Sequence, residues 1–339
     1  MRQSLSSRRE VSPCPQQPWQ EGNDVSALNI VVSPEVAAAL EDSRPVVALE
    51  SNVVTHGLEY PRNAEAAIKV QDAVRRGGAV PATIGIDDGQ ILVGMTDGLI
   101  ERFATGKDIP KVSSRDMGHA LAVGGMGATT VASSMVAAHA AGIKHFCSAG
   151  IGGVHHGVQT TMDISSDLIQ FTRTPIMVVC AGAKNILNLP MTLEFLETQC
   201  VPVVSFRSDD FPAFYCRSSG IRSPQRIDDA ALLAATAERH WALGNSTAVV
   251  VTTPPRHEDA IDFLEAQAAV QDALQAAQRA DIVGKDVTRF LMRAIDRATN
   301  GRSSAANEAV LISTAEVAGQ LASYATRSDA RVPGDGQKS

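Results

Sequence analysis

The chain has few aromatic residues and no excess of positive charge. Aromatic side chains make up 4% of its 339 residues, and the formal net charge is −7. Proteins that bind single-stranded nucleic acid stack bases on aromatic side chains, and nucleic-acid-binding domains in general carry a basic surface. The composition therefore argues against a nucleic-acid partner.

Cysteine is scarce and follows no pattern. None of the five cysteines forms a C-x-x-C pair or lies at the spacing of zinc ligands. Their odd number disfavours a disulfide framework and fits a reducing compartment. We therefore expect a cytoplasmic protein without structural disulfides.

Long apolar runs are also missing. The longest mildly apolar stretch, residues 128–143, is interrupted by threonines, serines and a histidine. It is too polar and too short to cross a bilayer. The sequence predicts no membrane-spanning segment.

Both ends of the chain are polar. Residues 1–25 are rich in Gln, Ser, Pro and Arg and lack the apolar core of a secretory signal. The arginines and serines leave organelle targeting open, although acidic residues and prolines argue against it. We expect disordered tails over residues 1–25 and 327–339, and a single catalytic domain over residues 26–326.

Between the tails, short apolar runs alternate with segments of helical pattern. This alternation predicts a three-layer α/β/α fold. The turn Asp87-Asp-Gly-Gln90 between two apolar runs indicates a β-hairpin, so the central sheet should be mixed and largely parallel. In such sheets the functional residues lie at the strand ends.

Three local signals predict helix starts. Asn63 is placed to cap a helix over residues 64–76. The glycine loop 124–127 should lead directly into a helix over residues 129–141, whose N-terminus could receive an anion. A third helix is predicted from Asp163 to Phe171.

The segment Ala181-Gly-Ala-Lys184 closes the apolar run Pro175–Cys180. A lysine buried at a strand end has a lowered pKa, and its neutral amine is a nucleophile that can form an imine with a sugar carbon. The alternative is that Lys184 is a surface lysine at the end of a strand. An Ala-Lys pair without further signals would favour this alternative.

Glu50 ends another predicted buried strand, Val46–Leu49. A partly desolvated carboxyl at this position has a raised pKa and can act as a general acid. The alternative is a structural salt bridge.

Lys111, Ser113 and Arg115 precede the glycine loop and Thr129-Thr130. Cationic side chains and backbone amides that glycine leaves accessible suit a phosphate group. A turn with solvated charges is the alternative.

Two further segments could take part in a site. Asp163-Ile-Ser-Ser-Asp167 is compatible with a helix cap and with a hydrated divalent cation, and its spacing alone favours the cap. The loop 150–157 lacks the G-x-G-x-x-G spacing of a dinucleotide site. Of the adjacent His155 and His156, at most one should face a site.

Taken together, the sequence resembles the pseudouridine-5′-phosphate glycosidase family, also called indigoidine-synthase-A-like proteins. The resemblance covers nearly all of residues 30–325, in order. The segments that carry it include Ala48-Leu-Glu50, His56-Gly57, Lys111-Val-Ser113, Gly127-Ala-Thr-Thr-Val-Ala132, Gly150-Ile-Gly-Gly-Val-His155, Asp163-Ile-Ser165, Val178-Val-Cys-Ala-Gly-Ala-Lys184 and Gly301-Arg-Ser303 with Asn307.

The resemblance implies reversible cleavage of the C–C bond that joins uracil to ribose 5-phosphate in pseudouridine 5′-phosphate. It implies that Lys184 forms the imine, that Glu50 donates the proton, and that Asp163 holds a divalent metal, typically Mn²⁺. It also implies a homotrimer. Substrate-binding and other active-site positions are implied at Lys111, Thr130, Val131, His155, Ser165, Ser166, Asp167 and Asn307.

The sequence departs from the family pattern at four positions, and two of them remove arginines that could bind phosphate. Ser114 and His156 stand where arginine is frequent, Ser166 where alanine is frequent, and Arg289 where proline is usual. Two other functions stay open: a different Schiff-base lyase acting on a sugar phosphate, and a non-catalytic relative that binds a nucleotide-like phosphate. Retention of Glu50, Asp163 and Lys184 argues against the second.

Overall fold

The computed structural model of the protein describes residues 29–284 and 287–329. The predicted tail over residues 1–25 and residues 330–339 of the predicted C-terminal tail lie outside these ranges. The last helix continues to Asp329, beyond the expected domain end at residue 326. The domain boundaries therefore stay a prediction.

Within the described residues, eleven strands form one sheet in the order β1-β4-β3-β2-β7-β8-β11-β9-β10, and β6 joins it by pairing with β3 and β5. Two pairs, β3 with β4 and β3 with β6, are antiparallel, and the others are parallel. The strands are β1 Ile30–Val32, β2 Val46–Glu50, β3 Val80–Asp87, β4 Gln90–Val93, β5 Lys111–Val112, β6 Gly127–Thr129, β7 His145–Cys147, β8 Met177–Cys180, β9 Val203–Phe206, β10 Gln225–Ile227 and β11 Val249–Thr252.

Helices surround this sheet, which confirms the predicted α/β class with a mixed, largely parallel sheet. The helices α3, α6 and α13 all contact its central strands. Among the described residues the helices are α1 Pro34–Glu41, α2 Asn52–His56, α3 Arg62–Arg76, α4 Asp97–Thr105, α5 Met117–Val123, α6 Val131–Ala140, α7 Val158–Thr161, α8 Ser166–Phe171, α9 Leu189–Thr198, α10 Ala230–Ala242, α11 Phe263–Arg279, α12 Val287–Ala298 and α13 Arg302–Asp329.

The central strands are buried along their whole length. Every residue of β7, β8, β9 and β11 is buried. A parallel sheet covered on both faces has this pattern, which explains why these strands are continuous apolar runs in the sequence. The predicted hairpin is present, with Asp88 and Gly89 both at positive φ and β3 antiparallel to β4.

Asn63 does not cap α3, because the helix begins one residue earlier, at Arg62. Its amide is instead buried and donates to the carbonyl oxygens of Val54 and Ala104 at 2.7 and 3.0 Å. The side chain thus joins α3 to α2 and α4. The prediction of a cap was wrong because the polar groups that Asn63 serves are distant in sequence.

The glycine loop 124–127 does not lead directly into a helix. Gly127 begins β6, and α6 starts only at Val131. The strand β6 was missed because it is three residues long, and pairing with β3 and β5 defines it rather than its own apolar pattern. Strand β10 and the short helices α2 and α7 were also missed.

None of the described helices is long and apolar enough to cross a membrane.

Candidate active site

Three neighbouring strands bring Glu50, Ser148 and Lys184 to one edge of the sheet. Leu49 of β2 is paired with Cys147 of β7, so Glu50 and Ser148, the next residues, follow at the same level. Because β2, β7 and β8 are parallel, their carboxyl ends lie on the same side. Lys184 follows β8 by four residues.

The backbone around Lys184 is fixed by the loop that follows β7. The Ile151 N–H donates to the Gly182 carbonyl, and the Lys184 N–H donates to the Ile151 carbonyl, both at 3.1 Å. Gly182 has a φ of +84°, and a Cβ there would collide with the carbonyl oxygen of Pro212. Only glycine fits this close approach.

The Lys184 amine is held inside the site. Its Nζ donates to the carbonyl oxygen of Gly150 at 2.6 Å and lies 5.9 Å from the centre of the Phe214 ring. Burial lowers the pKa of Lys184, and the charges of Glu50 and Asp167 act in the opposite direction. Desolvation is the larger effect, so the neutral amine is more accessible than in a solvated lysine.

Glu50 ends β2 and accepts a hydrogen bond of 2.6 Å from the Ser148 hydroxyl. Burial raises the pKa of this carboxyl, while Lys184 and the Ser148 hydrogen bond lower it. The net direction is upward, which favours the protonated carboxyl that a general acid requires. Glu50 and Lys184 are thus shifted towards their neutral forms by the same low-dielectric surroundings.

Asp167 connects three segments of the site. Its carboxylate accepts the Ala132 N–H at 3.1 Å and the Gly152 N–H at 2.9 Å, and the side chain is buried. It therefore joins the N-terminus of α6 to the loop that follows β7. The Asp167 carboxylate thus lies at the N-terminus of α6, where the helix dipole is positive. It holds Thr130 and Val131 in position at that end of the helix.

Ser165 caps α8, with its hydroxyl accepting the Asp167 N–H at 3.2 Å. Ser166 lies at the first position of that helix, and its hydroxyl is 2.6 Å from the Ser113 hydroxyl next to β5. The turn 165–167 and the end of β5 are therefore in direct contact. Hydroxyls gathered in this way can donate to a phosphate or a sugar.

Lys111 begins β5 and is exposed. Its charge acts on Glu50, Lys184 and His155. Burial lowers the pKa of His56, and the charges of Arg289 and Lys111 lower it further. His56 is therefore held towards its neutral form, and the positive charges that act on it are those of Lys111 and Arg289.

Asp163 precedes α8 by three residues and does not cap it, because Ser165 has that role. Its carboxylate lies 3.9 Å from Nδ1 of His155, and the exposed fraction of the Asp163 side chain is 36%. The His155 N–H donates to the Asp163 carbonyl at 3.0 Å. His156, the next residue, is exposed, whereas His155 is half-buried.

Asn307 lies on α13 one turn before Leu311. Leu311 and Glu50 line the same small cavity, so this part of α13 covers the end of β2. Asn307 itself is half-buried.

The structure also places side chains near Lys184 that the sequence analysis did not single out. Ser148 is the first, and Asn185 and Tyr215 are two more. The Asn185 amide and the Tyr215 hydroxyl are buried and face each other, without a hydrogen bond of regular geometry within the described ranges. The available signal for Ser148 was its position near the end of the apolar run 145–149, which predicts a strand.

The model of the indigoidine synthase A like family matches residues 35–324. The chain belongs to this family. It is 61% identical over 295 residues to a pseudouridine-5′-phosphate glycosidase of Serratia proteamaculans, covering 87% of this chain and 96% of that protein. It is 59% identical over 288 residues to pseudouridine-5′-phosphate glycosidase 1 of Photorhabdus laumondii, covering 85% of this chain and 91% of that one.

Two solved structures of similar proteins share the fold. A prealnumycin C-glycosynthase in complex with ribulose 5-phosphate has a TM-score of 0.83 and 46% identity, over 89% of this chain and 98% of that one. An indigoidine synthase A-like protein of Thermotoga maritima has a TM-score of 0.80 and 30% identity, over 91% of this chain and 99% of that one. The predicted family membership is confirmed.

Proposed function

We propose that the protein is a pseudouridine-5′-phosphate glycosidase, which converts pseudouridine 5′-phosphate and water reversibly to uracil and ribose 5-phosphate. The observation that carries this proposal is the placement of Glu50 and Lys184 at the ends of strands of one parallel sheet, with both pKa values shifted by burial. The names of the two bacterial relatives support it. The C-glycosynthase supports a C-glycosidic bond and a sugar phosphate as the chemistry of this fold.

The bond to be broken explains why a lysine is needed. A C-glycosidic bond has no heteroatom leaving group, so the two carboxylates of an ordinary glycosidase would not suffice. An amine bonded to the sugar C1 can form a C=N bond with its lone pair as the bond to the base breaks, and uracil takes the electron pair of that bond. Lys184 supplies the amine for this imine.

In the proposed reaction Glu50 donates and accepts every proton that is transferred. Glu50 protonates the ring oxygen as the sugar opens and Lys184 Nζ bonds to C1, and the proton that Nζ loses returns to Glu50. The C–C bond then breaks with its electron pair on uracil, whose carbon takes the proton from Glu50, and Lys184 is left as the iminium. Water hydrolyses the iminium, releases ribose 5-phosphate and restores the amine and the acid.

The phosphate would bind near Lys111 and Arg289, whose charges both act on His56, beside the hydroxyls of Ser113 and Ser166. The charge of Lys111 also acts on Glu50 and Lys184. A phosphate held there supplies binding energy remote from C1, which positions the sugar for attack. Arg289 adds a positive charge in a chain that lacks arginine at positions 114 and 156.

Asp163 would hold the Mn²⁺ ion. Across residues 29–284 and 287–329, no group of three His, Cys, Asp or Glu side chains is arranged to bind a metal. The half-buried carboxylate of Asp163 would serve as the single carboxylate ligand of a cation that keeps most of its waters. Such an ion would supply positive charge and ordered water beside the sugar phosphate.

The chain is expected to assemble as a homotrimer, as its family resemblance implies. Size-exclusion chromatography with light scattering tests this: a mass of three chains supports the trimer, and a single-chain mass rejects it.

The direct test of the proposed function is an assay of the purified protein with pseudouridine 5′-phosphate and Mn²⁺ that follows uracil release. Uridine 5′-phosphate, whose base is joined through nitrogen, is the matched control. Uracil from the C-nucleotide alone is expected. No uracil, together with a borohydride-trapped Lys184 adduct of another sugar phosphate, would favour a different Schiff-base lyase.

A further inference from the structure

We propose that Ser148 is a positioning residue that switches its hydroxyl hydrogen bond between the Glu50 carboxyl and the Gly150 carbonyl, and so links the acid to the hold on Lys184. This inference rests on the proposed function, because it assigns a role to Ser148 in that reaction. The Ser148 hydroxyl lies between two hydrogen-bond acceptors.

The Ser148 hydroxyl lies 2.6 Å from Oε1 of Glu50 and 3.4 Å from the carbonyl oxygen of Gly150. The side chain is 1% exposed, so bulk water does not compete for it. A serine hydroxyl has one proton and can donate to one partner at a time. An ionised carboxylate can only accept, so the Ser148 hydroxyl donates to Glu50 when this carboxyl is ionised.

The direction can reverse when Glu50 is protonated. An ionised carboxylate only accepts hydrogen bonds, whereas a protonated carboxyl donates one and keeps an oxygen that accepts. In the proposed exchange the carboxyl proton lies on Oε1, so that Glu50 donates to Ser148 Oγ and the Ser148 hydroxyl donates to the Gly150 carbonyl. Among the residues that the structure describes, Ser148 is the only group that donates to the Glu50 side chain, so no other donor competes for this exchange.

The Gly150 carbonyl is also the acceptor of the Lys184 amine, at 2.6 Å. A carbonyl oxygen has two lone pairs and can accept both donors, but the second donor weakens the bond of the first. The amine is therefore held less firmly when Glu50 carries its proton. The nucleophile becomes free to turn towards the sugar in the state in which the acid is ready.

Other charged groups act on the Glu50 carboxyl through their charge and donate no hydrogen bond to it. Lys184, Asp167 and Lys111 act on Glu50, and Cys147, on the neighbouring strand β7, has a thiol pKa that burial raises, so it adds no charge. The hydrogen bond from Ser148 lowers the pKa of Glu50. Its removal should therefore raise that pKa further.

The test compares Ser148→Ala and Ser148→Thr with the wild-type protein. For Ser148→Ala we expect kcat to fall at least about tenfold, KM to stay within about threefold, and the basic limb of the kcat/KM profile to move up by about one pH unit. Ser148→Thr retains the hydroxyl and should restore both kcat and the wild-type pH position of the basic limb of the kcat/KM profile. Ser205→Ala is the matched control, since Ser205 is equally buried and makes a 2.7 Å hydrogen bond with Thr252 far from Glu50.

A second readout needs no turnover. The pKa of Glu50, followed by the ¹³C shift of its labelled carboxyl, should be higher in Ser148→Ala than in the wild type. An unchanged Glu50 pKa, or equal loss of kcat in Ser148→Ala and Ser148→Thr, would overturn the proposal. A wild-type protein that releases no uracil would reject the glycosidase function instead, and the ¹³C titration would still decide the role of Ser148. If Ser148→Ala does not fold, Ser148→Cys replaces it, because the thiol keeps the size but donates weakly.

Discussion

The Lys184 amine donates a 2.6 Å hydrogen bond to the carbonyl oxygen of Gly150. Gly150 belongs to the loop after β7, whereas Lys184 follows β8, so the amine is held by the backbone of the loop that follows the neighbouring strand. Burial lowers the pKa of this lysine. A neutral amine with a fixed position is what imine formation requires.

Replacing Lys184 by alanine should abolish uracil release and leave binding of ribose 5-phosphate within about threefold, because the amine bonds to C1 and the phosphate binds elsewhere. Uracil release and calorimetric titration measure the two effects. Lys144→Ala is the control, since Lys144 is an exposed lysine paired with Glu238. Normal turnover in Lys184→Ala would contradict the imine mechanism.

The Asp167 carboxylate accepts two backbone N–H groups from different segments. In Asp167→Asn one oxygen becomes an NH₂ group, which faces an N–H donor and leaves it unpaired. We expect a loss of about 1–3 kcal/mol in the free energy of unfolding and lower activity, since both segments line the site. Urea denaturation and the uracil assay measure these changes.

Asp229→Asn is the matched control for that prediction. Asp229 caps α10 by accepting the Leu232 N–H at 2.7 Å, and asparagine caps a helix as well as aspartate does. The free energy of unfolding of Asp229→Asn should therefore stay close to that of the wild-type protein. Equal losses in the two variants would show that the amides of Ala132 and Gly152 are not what makes position 167 sensitive.

Gly182→Ala should disorganise the approach to Lys184, because the added Cβ collides with the Pro212 carbonyl oxygen. Gly142→Ala is the control: Gly142 has a φ of +80° but has no atom within 4 Å of the added Cβ. Both variants carry the cost of a positive φ, and only Gly182→Ala should lose most of its activity. Similar activity in both would indicate that the collision relaxes without moving Lys184.

His145 of β7 links stability to pH. Burial lowers its pKa to about 4, and the charge of Lys144 adds to this shift, whereas an unfolded histidine titrates near 6.5. Between these values the unfolded chain binds the proton and the folded chain does not, so stability falls as pH decreases from about 6.5 to about 4. The full contribution of this group is about 3 kcal/mol.

His145→Gln should therefore flatten the dependence of the free energy of unfolding on pH in this window, as measured by urea denaturation at several pH values. His139→Gln, at an exposed position, should keep the wild-type slope. A variant at position 145 with an unchanged slope would show that another group causes the acid sensitivity.

The sequence was sufficient to predict that Glu50 and Lys184 lie at the ends of buried strands. Glu50 and Lys184 each come after an apolar run that could only be an interior strand, and parallel strands present their ends at one edge. Their pKa directions follow from the same burial, and the structure agrees with both.

The links between segments could not be predicted in this way. The bonds from Ser148 to Glu50 and from Asp167 to Ala132 join residues 98 and 35 positions apart, and they depend on strand register and on the strand β6 that the sequence does not signal. The interpretation of Asp163 as a possible cap failed for a related reason: Ser165, two residues later, has the backbone conformation that a cap requires. The assignments of Lys111, His155 and Asn307 stay predictions.

Borohydride trapping of the sugar adduct tests the central claim most directly. The protein is incubated with ribose 5-phosphate, reduced with borohydride, digested and analysed by mass spectrometry. The account predicts one ribose 5-phosphate adduct, on the peptide that carries Lys184, which disappears in Lys184→Ala and is reduced by competing uracil. An adduct on another lysine, or none while the same preparation releases uracil from pseudouridine 5′-phosphate, would contradict it.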